Sequence, residues 1–257
     1  HIFCRPDQAV DEMIAVVDFY TALYSAVGLA PDEVHFSTRP DKSVGTDEEW
    51  EMAENAIREA LERSGLDYKV AEGEGTFYGP KIDVHVRDAI RRLWQVGTIQ
   101  IDFQNPDRFH LEYTDEHGER KRPVMIHRAL YGSIERFTGI LVEHFAGAFP
   151  AWLAPVQAVV IPIADRHTDY ARSVATQLKD RGLRAAVEVS DDTIGAKIRR
   201  NQLRKIPYML IVGDNEVSGE TVSVRSRSGQ ETRDVKIADL AEKLAEEVSS
   251  KALDLSY

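Results

Sequence analysis

Hydrophobic and polar residues along this chain follow two repeating patterns, and the layout they imply changes near residue 150. Residues 6 to 28 open on Pro6 and repeat apolar side chains at helical spacing, with Val10, Met13, Ile14, Val17, Leu23 and Val27 on one stripe. A short strand is expected over Val34 to Ser37, then a helix that starts at the capping box Thr46-x-x-Glu49 and stops at Ser64-Gly65. The runs "KIDVHV", "GTIQIDF" and "FHLEYTD" keep a period of two and are broken by turns such as "DEHGER". In "GTIQIDF", Thr98, Gln100 and Asp102 fall opposite Ile99, Ile101 and Phe103, which predicts antiparallel strands with one polar face. Val124 to His127 reads as a further strand, and Ile134 to Phe145 as a helix that buries Ile134, Phe137, Ile140, Leu141 and Phe145.

The two prolines of "AFPAWLAP" then interrupt the chain, and a boundary at about Ala154 separates residues 1–154 from 155–257. Beyond it come a strand in "VQAVVIPI", a helix from Thr168 to Arg181 closed by Gly182, and a strand from Leu183 to Glu188. A helix from Thr193 to Arg204, a strand from Tyr208 to Val212, a hairpin and an amphipathic helix from Ile237 complete the chain. The fold class is therefore α/β (α+β): an antiparallel sheet with flanking helices, followed by a compact α/β domain with a mixed sheet.

With 43% hydrophobic and 29% charged residues over 257 positions, the chain reads as soluble and globular, with no apolar run of bilayer length and no signal-peptide pattern. Cys4 stands alone, so there is no internal disulfide and a cytoplasmic setting is expected. The chain opens at His1 inside a strand-like "HIFC", as a fragment of a longer protein would. A net charge of −11 argues against a nucleic-acid partner at first sight. From residue 152 onward, however, acidic and basic residues balance, so all the excess acid lies in residues 1–151. Within the balanced part, "KIRRNQLRK" concentrates Lys197, Arg199, Arg200, Arg204 and Lys205, which is either a solvated helix face or a local phosphate-binding one.

Candidate chemistry gathers on the polar face and the loop before it. Tyr78 and Lys81 in "EGTFYGPKID", with Gln95 and Gln100, put amides and a phenol where they could bind a polar small molecule, and Gly73, Gly75 and Gly79 would let the loop approach it. Gly132 and Ser133 lie between a strand and a helix, and Arg136, one turn further on, has a planar donor fork suited to phosphate or carboxylate. An exposed pair between Glu135 and Arg136 is the commoner use of such residues. His1 and His127 lie in short apolar strands. The period of two puts His1 on the side of Phe3 and not of Cys4, which removes the tempting His1–Cys4 metal pair.

Together, "HIFC", "STRP", "EGTFYGPKID", "QVGTIQIDF", "VMIHRALYGSIERFTGIL", "PAWLAPVQ", "IPYMLIVGDNEV" and "SVRSRSG" resemble, in that order, the C-terminal half of the bacterial-type threonyl-tRNA synthetases. The resemblance covers essentially the whole chain. It implies a class II aminoacyl-tRNA synthetase core over 1–154 and an anticodon-binding domain over 155–257. The segments called motifs 1 and 2 would lie upstream, so the chain alone is expected to be inactive. It implies that Arg136, Gln95 and Gln100 serve catalysis and that Tyr78, Lys81, Thr98 and Ser133 contact amino acid or ATP. Two histidines, matching His1 and His127, would hold zinc (Zn2+) together with an upstream cysteine that has no counterpart here. Mg2+ would accompany ATP. The implied partners are tRNA(Thr), ATP, L-threonine and a second subunit in a homodimer, with no membrane. An open zinc would take the amino and hydroxyl groups of threonine and so reject valine. In the second domain the resemblance assigns anticodon contacts to Glu216, Arg225 and Arg199. A prolyl enzyme would not need a zinc-binding His127, and a non-catalytic tRNA-binding relative would lack the ATP-binding arginine upstream.

Overall fold

Thr46 and Glu49 exchange both hydrogen bonds of the expected capping box, and Gly65 takes a left-handed conformation at the other end of that helix. In the computed structural model, which describes residues 1–257, each such local signal feeds one of two units, His1–Glu143 and His144–Tyr257. The sequence boundary near Ala154 falls within the second of these.

In chain order the first unit runs β1 (Ile2–Cys4), α1 (Ala9–Ala26), β2 (Glu33–Ser37), α2 (Asp47–Ser64), β3 (Lys69–Ala71), β4 (Lys81–Arg87), β5 (Leu93–Asp102), α3 (Gln104–Arg108), β6 (Tyr113–Thr114), β7 (Arg120–Lys121), β8 (Val124–Ala129) and α4 (Ile134–His144). Six strands form one sheet in the order β1-β8-β5-β4-β2-β3, antiparallel except for the β2–β3 pair. Val34, Phe36, Ile82, Val84, Ile99, Ile101 and Ile126 are buried on one face. Strand alternation therefore turns Ser37, Asp83, Thr98, Gln100 and His127 to the other.

Helix α1 presents a different stripe from the one expected. Met13, Val16, Val17, Tyr20 and Tyr24 are buried, while Val10, Ile14 and Leu23 are only half-buried. The tyrosines face the sheet because their hydroxyls have partners there: Tyr20 donates to the carbonyls of Thr98 and Ala129, and Tyr24 to that of Leu130. In α4, Phe137 and Ile140 are buried but Ile134 is 71% exposed, which corrects the buried face assigned to that helix. "FHLEYTD" is not a full strand either. Asp102 accepts hydrogen bonds from the backbone N–H of Gln104 and Asn105, turning the chain into α3, and only Tyr113–Thr114 pairs, with β7.

The second unit comprises β9 (Ala158–Pro162), α5 (Thr168–Asp180), β10 (Ala185–Val187), α6 (Ile194–Leu203), β11 (Tyr208–Val212), α7 (Asp214–Gly219), β12 (Thr221–Ser226), β13 (Glu231–Lys236) and α8 (Ile237–Ser249). The sheet order is β10-β9-β11-β12-β13, with β9, β10 and β11 parallel and the last two antiparallel. Val160, Leu210, Val222 and Val224 pack with α5 and α8 on one face, and Val159, Ile161 and Met209 with Ile194 and Ile198 of α6 on the other. Helix α7, which the sequence pattern did not predict, stands between β11 and the β12–β13 hairpin.

One glycine locks the first sheet to its helix. A Cβ on Gly97 would stand 2.7 Å from the Tyr24 hydroxyl and 2.9 Å from Cε2 of Tyr20. Gly97→Ala should therefore destabilise the first unit by roughly 1 to 3 kcal/mol through overpacking, read as a lower midpoint of urea unfolding. An unchanged midpoint would mean that α1 is not seated on β5 in this way.

Candidate functional site

Strand β5 carries one more residue than β4 between two of their pairings: Val84 faces Gly97, and His85 faces Gln95, leaving Val96 as a bulge. Gln95 and Thr98, three apart and so expected on opposite faces of a regular strand, consequently lie on the same side. Both reach Asp83, a residue that the reading of the sequence passed over. Thr98 Oγ1 donates to Asp83 Oδ1 at 3.0 Å, Gln95 Nε2 donates to the same oxygen, and Ser37 Oγ donates to Oδ2 at 3.0 Å. Lys81 completes the set by pairing with Oδ2.

The Lys81 and Asp83 side chains are only 15% and 5% exposed, so this ion pair is largely desolvated. Lys81 is thus committed to Asp83, where the sequence suggested a group open to a ligand. Gln100 is also engaged: its Oε1 accepts from Tyr78 Oη at 2.8 Å and its Nε2 donates to the carbonyl of Gly79 and to Thr76. Burial, and then the Asp102 carboxylate, raise the Tyr78 pKa above the usual phenol value, so the phenol stays a donor. Gly75 and Gly79 do bring the loop in close, but to protein. A Cβ would stand 2.5 Å from the Thr38 carbonyl oxygen at Gly75 and 2.1 Å from that of Ile101 at Gly79. The loop carrying Tyr78 is therefore fastened to the sheet.

One strand further along, His127 lies across from Gln100 and its Nε2 meets Asp102 Oδ2 at 2.7 Å. Asp102 is fully buried and accepts only, which makes Nε2 the protonated nitrogen and leaves Nδ1 for another partner. His1 and His127, far apart in the chain, come edge-to-face with ring centroids 4.8 Å apart. These two residues fit as nitrogen ligands of a metal, although no group of three His, Cys, Asp or Glu side chains is arranged to hold one. Cys4 does not supply the third: it is buried and pairs with Val124, which puts it on the apolar side of the sheet, opposite His127.

Beyond the opposite end of the row lies Arg136. Ser133 caps α4, its Oγ accepting from Arg136 N at 3.1 Å. Gly132 has a φ of +65°, and a Cβ there would strike the Arg136 guanidinium, 2.2 Å from Nη2. The glycine thus makes room for the arginine and not for a ligand. The guanidinium lies 5.9 Å from the centre of the Trp94 ring and has no carboxylate within ion-pair distance, so the Glu135–Arg136 pair is not formed.

In the second unit Glu216 is on α7. Its carboxylate accepts from the Gly213 N–H and from Ser223 Oγ, at 2.9 and 2.8 Å. Arg225 lies on the α6 face of the sheet, across from Met209, with Nη1 3.5 Å from Glu231. Arg199 is exposed, but the basic run is not one face. Lys197 is buried, donating to the Pro162 carbonyl, and Arg200 pairs with Glu188 and Asp192.

The comparisons follow this division. Residues 1–145 match the family described as tRNA synthetase class II core domain (G, H, P, S and T), and residues 157–247 match the anticodon binding domain. The chain belongs to the class II aminoacyl-tRNA synthetases. It is 53% identical to the threonine–tRNA ligase of Caldanaerobacter subterraneus subsp. tengcongensis, over 98% of this chain and 39% of that protein. A crystal structure of the RNA binding domain of threonyl-tRNA synthetase from Cryptosporidium parvum Iowa II superposes with a TM-score of 0.89 at 40% identity, over 99% of this chain and 63% of that one. The prolyl-tRNA synthetase of Cryptosporidium parvum, at 17% identity and a TM-score of 0.63 over 96% of this chain and 48% of that one, shares the fold alone. This chain therefore spans about two fifths of the length of the curated relatives it matches. No helix in it is long and apolar enough to cross a membrane.

His85 extends the polar face past Asp83. Burial, then the His35 ring 4.5 Å away, lowers its pKa below the usual imidazole value, against opposing contributions from Asp83 and Glu33. A histidine that resists protonation when folded contributes stability that is present above its unfolded pKa and lost as pH falls toward the folded one. The first unit should accordingly lose stability as pH drops from about 7.5 to about 5.5, and His85→Gln should flatten that dependence. Urea unfolding at the two pH values checks this, and parallel curves for parent and variant would contradict it.

Proposed function

We propose that the intact protein to which this chain belongs joins L-threonine to tRNA(Thr) by way of threonyl-adenylate, with Mg2+ accompanying ATP, and that it works in the cytoplasm as a homodimer. A threonine carboxylate oxygen attacks the α-phosphorus of ATP, the bond from that phosphorus to the bridging oxygen breaks, and pyrophosphate leaves. A terminal ribose hydroxyl of the tRNA then attacks the threonyl carbonyl carbon, the bond from that carbon to the phosphate oxygen breaks, and AMP leaves with the hydroxyl proton lost to solvent. The observation that carries this reading is the row of polar side chains across β4, β5 and β8 with an unpaired guanidinium beyond it, in a chain whose similarity is to threonine–tRNA ligases.

Arg136, held beside Gly132, meets the ATP phosphates and offsets the charge that builds at the α-phosphorus; positioning and charge do this work, with no covalent residue. Thr98 and Ser133 line the nucleotide end, and Gln95 serves the reacting groups. Tyr78 and Gln100 face the amino acid, while Lys81 acts through Asp83. His1 and His127 would hold zinc with a third ligand from outside this chain. When bound, the metal supplies Lewis-acid positions for the amino and hydroxyl groups that distinguish threonine from valine. In residues 155–257, Arg225 and Glu216 read base edges and Arg199 contacts phosphate; each oxygen of Glu216 keeps a second lone pair for a base donor.

Arg136→Ala in the intact protein should lower threonine-dependent ATP–pyrophosphate exchange by a factor on the order of 10² or more while leaving tRNA binding nearly unchanged. An exchange rate close to the parent's would remove the nucleotide from this part of the fold.

A further inference from the structure

A carboxylate can only accept, and Asp83 is surrounded by donors. Ser37, Lys81, Gln95 and Thr98, from three neighbouring strands, all direct a proton at its two oxygens. For Gln95 this fixes which way the amide points. Nε2 must face Asp83, because the reverse orientation would set the amide oxygen against a buried negative charge. The second N–H of the same amide is also used, donated to Thr98 Oγ1 at 2.8 Å, while that hydroxyl passes its own proton to Asp83. Both amide protons are thus consumed inside the protein. Gln95 is nevertheless exposed, and Oε1, the one group it has left, accepts nothing from the protein.

We propose that Asp83 is a positioning residue that turns Gln95 into an obligatory hydrogen-bond acceptor toward the substrate, so that the group recognised there is a hydrogen-bond donor. This rests on the adenylate-forming function proposed above. A donor of that kind arrives either as a ribose hydroxyl of the nucleotide or as the ammonium of the amino acid. The proposal also accounts for the bulge at Val96, since without it Gln95 and Thr98 would lie on opposite faces and no single carboxylate could orient both. Gln100 sets the contrast: it is buried, its oxygen already accepts from Tyr78 and its amide donates to Thr76 and Gly79, so the protein itself holds both ends of the amide.

Asp83→Asn in the intact protein is the test. Asparagine keeps the shape but can itself donate, which frees the Gln95 amide to turn. ATP–pyrophosphate exchange is measured with threonine and ATP varied separately, and with 2′-deoxy-ATP and 3′-deoxy-ATP in place of ATP. The expected result is a roughly 10- to 100-fold fall in kcat/KM for the substrate that carries the donor, with no difference between parent and variant on the analogue that lacks it. A rise in the threonine KM alone, with ATP and its analogues unaffected, identifies the ammonium instead. The double variant Asp83→Asn, Gln95→Glu restores a donor-to-carboxylate pair with an acceptor facing outward and should recover about tenfold of the loss. Should Asp83→Asn fail to fold, Gln95→Met removes the acceptor directly and must show the same substrate-dependent loss. An equal loss on every substrate with no recovery in the double variant, or parental KM values in Gln95→Met, would overturn the proposal. If the parent itself shows no exchange, the functional reading fails instead. The amide assignment is then read from the Gln95 side-chain NH2 signals of the 257-residue chain, slow to exchange in the parent and fast in Asp83→Asn; fast exchange in both would reject it.

Discussion

The polar face depends on one extra residue in a strand. Val96 has no partner on β4, and that single insertion brings Gln95 into line with Thr98 above Asp83. The opposite side of the same stretch is equally constrained, because Gly97 faces α1 so closely that a Cβ would strike Tyr20 and Tyr24. The tyrosine hydroxyls then tie α1 to the carbonyls of Thr98, within β5, and of Ala129 and Leu130, at and just past the end of β8. Helix, bulge and polar cluster therefore form one mechanical unit. A shift of β5 by one residue would undo the apolar packing and the hydrogen-bond network together.

The electrostatics of that unit sort its cations by task. Lys81 is neutralised by Asp83 at low exposure, and His127 is oriented by Asp102, so neither presents an uncompensated charge. Arg136 has an aromatic neighbour and no carboxylate partner, which makes it the cation near this face that is available to an anion. In a part of the chain that holds all the excess acid, attraction for an anion can come only from such a local arrangement, not from the overall field. In the second unit the opposite holds, and Lys197 and Arg200 are withdrawn from a basic run that looked continuous.

Much of this could be read in the residues alone. Period-two runs located β4 and β5, the short run Val124 to His127 located β8, the capping box located α2, and the polar face and its candidate side chains followed from alternation. The stripe of α1 was misread because Tyr20 and Tyr24 count as half-polar in a hydropathy pattern, yet both have buried partners for their hydroxyls. Helical spacing groups Ile134 with Phe137 and Ile140, yet as the first residue of α4 it is left exposed. Asp83 was visible as the polar residue between Ile82 and Val84. Its convergence with Gln95 and Thr98 was not, since a bulge breaks the period on which the prediction rests. The pairing of His1 with His127 likewise required the sheet order, which brings β1 beside β8.

The central claim is that threonine and ATP meet on this sheet face, between Arg136 and the two histidines. Hydrogen–deuterium exchange on the intact protein, with and without a non-hydrolysable threonyl-adenylate analogue, tests it most directly. The account predicts slowed exchange in residues 76 to 102 and 124 to 137, with residues 155 to 257 unchanged. Slowed exchange confined to the second unit, or tight binding that leaves β4, β5 and β8 as they were, would contradict it.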